Sequence, residues 1–146
     1  MPVTPWSGYA SKKLGIQTNA RSELVDLTSQ LQKLAATEGL QDGMMIVFVP
    51  HTTAGVCINE NADPTVKSDV LTKLESLIAK QEQYYRHAEG NSDSHVKTIL
   101  TGNSVTLLIE NGRILLGQWQ AVYFAEFDGP RQRDVIVKLV GGVRNG

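Results

Sequence analysis

Apolar residues along this chain switch between alternating and helical spacing, and each switch marks an element. Residues 10 to 27 carry two short strand patterns. From Thr28 the apolar set Leu31, Leu34 and Ala35 follows helical spacing, with Thr28 placed to cap the helix and Gly39 to end it. "MMIVFV", Met44 to Val49, is an unbroken apolar run, which predicts a strand covered on both faces and stopped by Pro50. "GVCINEN" predicts a partner strand. Asp63 and Pro64 then supply a cap and a first-turn proline for a helix running to about Lys80. Its buried stripe is Val66, Val70, Leu74, Leu77 and Ile78, leaving Lys67, Lys73 and Glu75 to water. A shorter helix begins near Ser92. Beyond Gly102, "SVTLLIE", the pair Asn111–Gly112 and "RILLG" predict a two-residue hairpin, and "WQAVYFAEF" and "DVIVKLV" complete the strands.

This order predicts an α+β fold, a two-sheet, largely antiparallel β-sandwich with helices packed on it. No repeat, linker or low-complexity tract divides residues 1–146, so a single domain is expected. Sheet edges and flat strands invite pairing between subunits, which makes an oligomer an expected state.

Composition narrows the function classes. At 146 residues the chain can hide about two thirds of its extended surface, so no metal or disulfide is needed merely to fold. Fourteen basic and fifteen acidic residues nearly cancel, and no basic run is interleaved with aromatics, which argues against a nucleic-acid partner. One cysteine excludes an intrachain disulfide, and Met1 to Gln17 has neither an apolar leader core nor a spanning length. A cytoplasmic protein with no membrane partner is the expectation.

The chain has three histidines. His51 opens the polar turn "HTTAG" at a strand end, where a rigid scaffold can present a side chain to solvent; alone, a packing or hydrogen-bonding residue is the plainer reading. His87 and His95 lie in "RHAEGNSDSH", where Gly90 permits a reversal and Asn91 or Ser92 can cap the helix that His95 enters. If the rings converge, three imidazoles can hold a divalent transition metal and leave a fourth position open. The same stretch also suits an anion, because backbone N–H groups at the helix start near Ser92 carry partial positive charge. "GPRQR" adds Arg131 and Arg133, whose guanidinium forks suit phosphate oxygens, although two solvated arginines are the plainer reading. Glu89 and Glu60 are candidate acid–base groups or orienters of a histidine tautomer, Glu89 being the better placed. Asp63 reads as a cap, Cys57 between Val56 and Ile58 as a small core residue, and Trp119 as core or interface.

"HTTAGVCINENADPTVKSDV", "HAEGNSDSHVKTILTGNS" and "GRILLGQWQAVYFAEFDGPRQR" together resemble the YjbQ-like family, small proteins described as having a secondary thiamine-phosphate synthase activity. The resemblance spans almost the whole chain. It implies an α+β fold containing a β-sandwich, a homotrimer and a site built around the histidines. By position, His51 matches the histidine of the HTT block, and His87 and His95 match the pair flanking the EGN stretch of Glu89, Gly90 and Asn91. Arg131 matches the arginine after the Gly-Pro. Ser94 departs from the alanine more often expected there. The functional expectation is an enzyme joining a pyrimidine-methyl pyrophosphate to a thiazole phosphate, with His95 and Glu89 catalytic and Asn91, Ser92 and Arg131 on phosphate. His51, His87 and His95 would hold a metal, zinc or another transition ion, with magnesium as a further option for a pyrophosphate substrate. The alternative is a protein that binds a metal or a phosphorylated small molecule without turnover.

Overall fold

A computed structural model describes residues 8–142; the leader reading of Met1 to Gln17 lies partly outside them. The elements are β1 (Gly8–Gln17), β2 (Glu23–Asp26), α1 (Thr28–Glu38), β3 (Asp42–Phe48), β4 (Ala54–Glu60), α2 (Pro64–Leu77), α3 (Ser92–Thr101), β5 (Ser104–Glu110), β6 (Arg113–Ile114), β7 (Gln120–Glu126) and β8 (Gln132–Gly142). They form two antiparallel sheets, ordered β1-β8-β3-β5-β6 and β2-β7-β4. This is the α+β two-sheet arrangement expected from the alternating periods.

Strand alternation builds the core. Met45 and Val47 of β3, Val135, Val137 and Leu139 of β8, and Leu107 and Ile109 of β5 point inward to meet Val56, Val122 and Phe124 of the smaller sheet. Leu31 and Ala35 of α1 close the side of this layer. On the other face of the smaller sheet, Ala121, Tyr123 and Ala125 lie under Val70, Leu71 and Leu74 of α2.

Five sequence expectations change in the fold. The first helical residue is Thr28 itself, with Leu27 as the cap residue. The Thr28 hydroxyl instead accepts from the Val122 N–H at 3.0 Å, tying the helix start to β7, while the Asp26 carboxylate takes the Thr28 N–H. Helix α2 stops at Leu77, because Ile78 turns extended and inserts as the buried residue; Leu77 stays 64% exposed. Glu75 is not left to water alone, since Lys97 Nζ donates to it at 2.8 Å. Strand β3 is covered on one face only: Met44 and Phe48 point away from the core and are 40% and 44% exposed. Of "RILLG", only Arg113 and Ile114 are strand.

The hairpin and the cap behave as predicted. Asn111 and Gly112 both take positive φ (52° and 74°), as a type I′ turn requires. Asp63 accepts from the Thr65 N–H at 2.9 Å ahead of Pro64.

Gly129 sits where a side chain has no room. A Cβ there would lie 2.4 Å from the Ala20 carbonyl oxygen and 2.7 Å from Thr18 Oγ1. Gly129→Ala is therefore expected to cost about 1–3 kcal/mol through overpacking. An unchanged urea midpoint would show that the turn gives way freely.

Candidate functional site

The histidines arrive from separate elements. Pro50 ends the β3 run and delivers His51 to the mouth between the sheets. The segment after α2 returns through a turn at Gly90, whose φ is 69° and whose N–H donates to the His87 carbonyl at 3.1 Å. Helix α3 begins immediately afterwards and carries His95 in its first turns. The His87 and His95 rings meet edge to face with centroids 5.2 Å apart, and His87 Nε2 lies 3.9 Å from a Glu89 carboxylate oxygen.

All three histidines line one open pocket of about 440 Å³ together with Glu89, Asn91 and Arg131. Ser92 does not line it, but borders an adjoining recess of about 340 Å³ with His87, His95 and Val96. Thr52, Thr53, Asp128 and Arg133 also face the main pocket. Sequence reasoning had not singled out Asp128 or the two threonines. The acid just before the Gly-Pro, and the hydroxyl pair just after His51, were the available signals.

Two buried charge networks hold this wall in place. In the first, Arg133 is 4% exposed and grips the fully buried Glu126 through Nε and Nη2, while Nη2 also donates to Thr53 Oγ1 at 2.8 Å. Glu126 further accepts from Thr18 Oγ1 and from the Phe127 and Asp128 N–H groups. Burial alone would raise the Glu126 carboxyl; the Arg133 bond, the Asp128 N–H and Thr18 outweigh it and hold the pKa below the ordinary value. In the second, Asp93 of α3 is fully buried and bound by both terminal nitrogens of Arg21 at 3.0 Å and by Lys97 Nζ at 3.3 Å. Its pKa is lowered for the same reason: burial opposes ionisation, and the Arg21 and Lys97 partners overcome it. Ser94, the departure from alanine, is buried and bonded, donating to the Phe127 carbonyl and accepting from Arg21.

His51 is held by its neighbour's backbone. The Asp134 N–H donates to Nε2 at 3.0 Å, and the Asp134 carbonyl lies 3.2 Å from the same nitrogen. With the shorter Asp134 N–H contact taken as the bond, Nε2 is the acceptor and the ring hydrogen is assigned to Nδ1. Burial, then the Arg133 charge, lowers the His51 pKa and favours the neutral ring.

Asn91 caps α3 without a side-chain bond to the helix. Its Nδ2 donates to Asp128 Oδ2 at 2.8 Å, and its Oδ1 is buried with no donor among the described residues. Arg131 is half exposed and hooked onto the same Asp128 through Nε and Nη2, both at 3.0 Å.

The metal expectation can be set against this donor set. Among the described residues no group of three or more His, Cys, Asp or Glu side chains is arranged to hold a metal ion. The His51 Nε2 lone pair is already engaged by the Asp134 amide. Cys57 and Glu60 lie outside the pocket; Cys57 packs beside the smaller core, where burial pushes its thiol pKa up. Trp119 is 56% exposed.

Residues 12–142 match the family described as UPF0047 protein YjbQ-like. The chain belongs to that family. A UPF0047 protein of Methanocaldococcus jannaschii is 50% identical over 129 residues, covering 88% of this chain and 93% of the relative. The UPF0047 protein YugU of Bacillus subtilis is 42% identical over 130 residues, 89% of this chain and 98% of the relative. A crystal structure of a YjbQ/UPF0047 family protein from Clostridium acetobutylicum superposes with a TM-score of 0.86 at 46% identity, covering 88% of this chain and 99% of that one. A YbjQ-like protein of Sulfolobus solfataricus reaches the same TM-score at 25% identity, covering 94% and 99%. No helix among the described residues is long and apolar enough to cross a membrane.

Proposed function

We propose that this UPF0047 protein binds a phosphorylated or pyrophosphorylated small molecule in the three-histidine pocket and catalyses group transfer from it. The observation that carries this reading is the convergence of His51, His87 and His95, from three separate stretches, on one pocket that also holds Arg131 and Arg133. In its specific form the reaction is the thiamine-phosphate synthase type. A thiazole nitrogen attacks the methylene of a pyrimidine-methyl pyrophosphate, the carbon–oxygen bond breaks, and pyrophosphate leaves with the bonding pair. Such a step needs donors on the leaving group. Donors that line the pocket supply them. His95 gives a proton to the departing oxygen, and Glu89 orients His87, whose ring packs on that of His95.

His95→Ala is expected to stay folded and lose about 10²–10⁴ of the rate on such a substrate pair. A full rate in that variant removes His95 from the chemistry. If no phosphorylated substrate turns over while pyrophosphate still raises the melting temperature, the protein is a binder without turnover.

The reading extends to a homotrimer. The outer face of the larger sheet carries Met44, Phe48, Leu108 and Ile136, all exposed, with Phe48 beside Ile136 and Met44 beside Leu108 in the register. A continuous apolar face on central strands is the kind of surface that copies of a chain cover. Phe48→Glu is expected to convert a trimer to monomer in light scattering; a wild-type monomer would contradict the assembly.

A further inference from the structure

We propose that the phosphoryl group is seated by Arg133, not by the more exposed Arg131, with Thr52 and the His51 ring as accompanying donors. The inference rests on the phosphate-binding reading above and specifies its anchor. Arg133 is 4% exposed yet borders the pocket. Its bonds to Glu126 and Thr53 run from Nε and Nη2, and none of them uses Nη1. Two N–H groups of a fixed guanidinium are thus left for a ligand.

The neighbouring donors share this corner, because Arg133 bonds to Thr53 and Asp134 bonds to His51, which brackets Thr52 between them. Thr52 lines the pocket with its hydroxyl uncommitted among the described residues. The Asp134 amide takes up His51 Nε2 and so leaves Nδ1–H as that ring's free donor. Donors arriving from three directions suit the tetrahedrally spread oxygens of a phosphoryl group better than the planar pair of a carboxylate.

Preorganisation separates the two arginines. Arg131 is 49% exposed and must give up side-chain freedom, or its bonds to Asp128, to grip a ligand. Arg133 is already immobilised. Its partner Glu126 does not cancel its usefulness, since Thr18 and two backbone N–H groups draw part of the carboxylate's charge away from the guanidinium.

The test is titration calorimetry with inorganic phosphate and pyrophosphate, with acetate as the planar control. Arg133→Lys keeps a cation against Glu126 but has no Nη1, and is expected to weaken phosphate binding roughly tenfold or more. Arg131→Gln is expected to change it by no more than about threefold, and acetate should bind weakly to all three proteins. Wild-type affinity in Arg133→Lys overturns the assignment while leaving the phosphate reading intact; absence of phosphate and pyrophosphate binding by the wild type overturns both. Should Arg133→Lys fail to fold, guanidinium nitrogen NMR of the wild type decides: Arg133 resonances that stay put at saturating phosphate refute the seat.

Discussion

Glu126→Ala is expected to destabilise the protein by about 3–5 kcal/mol, because it leaves the Arg133 guanidinium buried without its counter-charge. The loss is larger than the net worth of the pair, since most of it is the stranded charge. Pairing Glu126→Gln with Arg133→Met should therefore recover much of the stability lost in Glu126→Ala, even though both charges are gone. Urea unfolding of the wild type and these two variants measures this. The same carboxylate makes stability pH-dependent. Its folded pKa lies below the ordinary 4.5, so its contribution is complete above about 4.5 and is lost as pH falls through the lowered folded value. The wild type should lose stability on acidification from that point, and Glu126→Gln should lack that part of the slope. Parallel curves for the two proteins would mean that the pair does not respond to acid as described.

Asp93→Ala is the second large effect, also about 3–5 kcal/mol. Among the described residues Asp93 is the one carboxylate that both Arg21 and Lys97 reach, and Lys97 is only 1% exposed. Without Asp93, Lys97 keeps only Glu75, whose side chain is 52% exposed. The consequence reaches the pocket. Arg21 leads out of the loop between β1 and β2, and its grip on the first turn of α3 fixes the stretch that carries Asn91 and His95. Faster amide exchange along α3 than along β7 is expected in Asp93→Ala. Equal protection in both elements would mean that the network does not anchor the helix.

Much of this architecture was legible where the signal is local. Asn111–Gly112 needs only its own backbone preference to make a hairpin, and Asp63 with Pro64 needs only the next turn. Thr28 misled because its hydroxyl is claimed by β7, a partner 94 residues away. The run from Met44 to Val49 misled for a different reason: an apolar outer face and a buried one have the same composition. At the site, Gly90 and the helix start announced how His87 and His95 could meet, and the structure brings both to the pocket with His51. The support beneath them was not legible. Glu126 joins Thr18 across 108 positions, and Lys97 joins Glu75 from another helix, so neither pairing leaves a spacing to recognise. Arg133 was visible only as half of a charged loop, because burial is a property of the fold.

The most direct test of the shared pocket is imidazole NMR of the wild-type protein titrated with pyrophosphate. With only three histidines, every ring can be followed. Signals from His51, His87 and His95 are expected to move together and saturate with a single dissociation constant. Rings that stay unperturbed, or that respond with unrelated affinities, would contradict a common site.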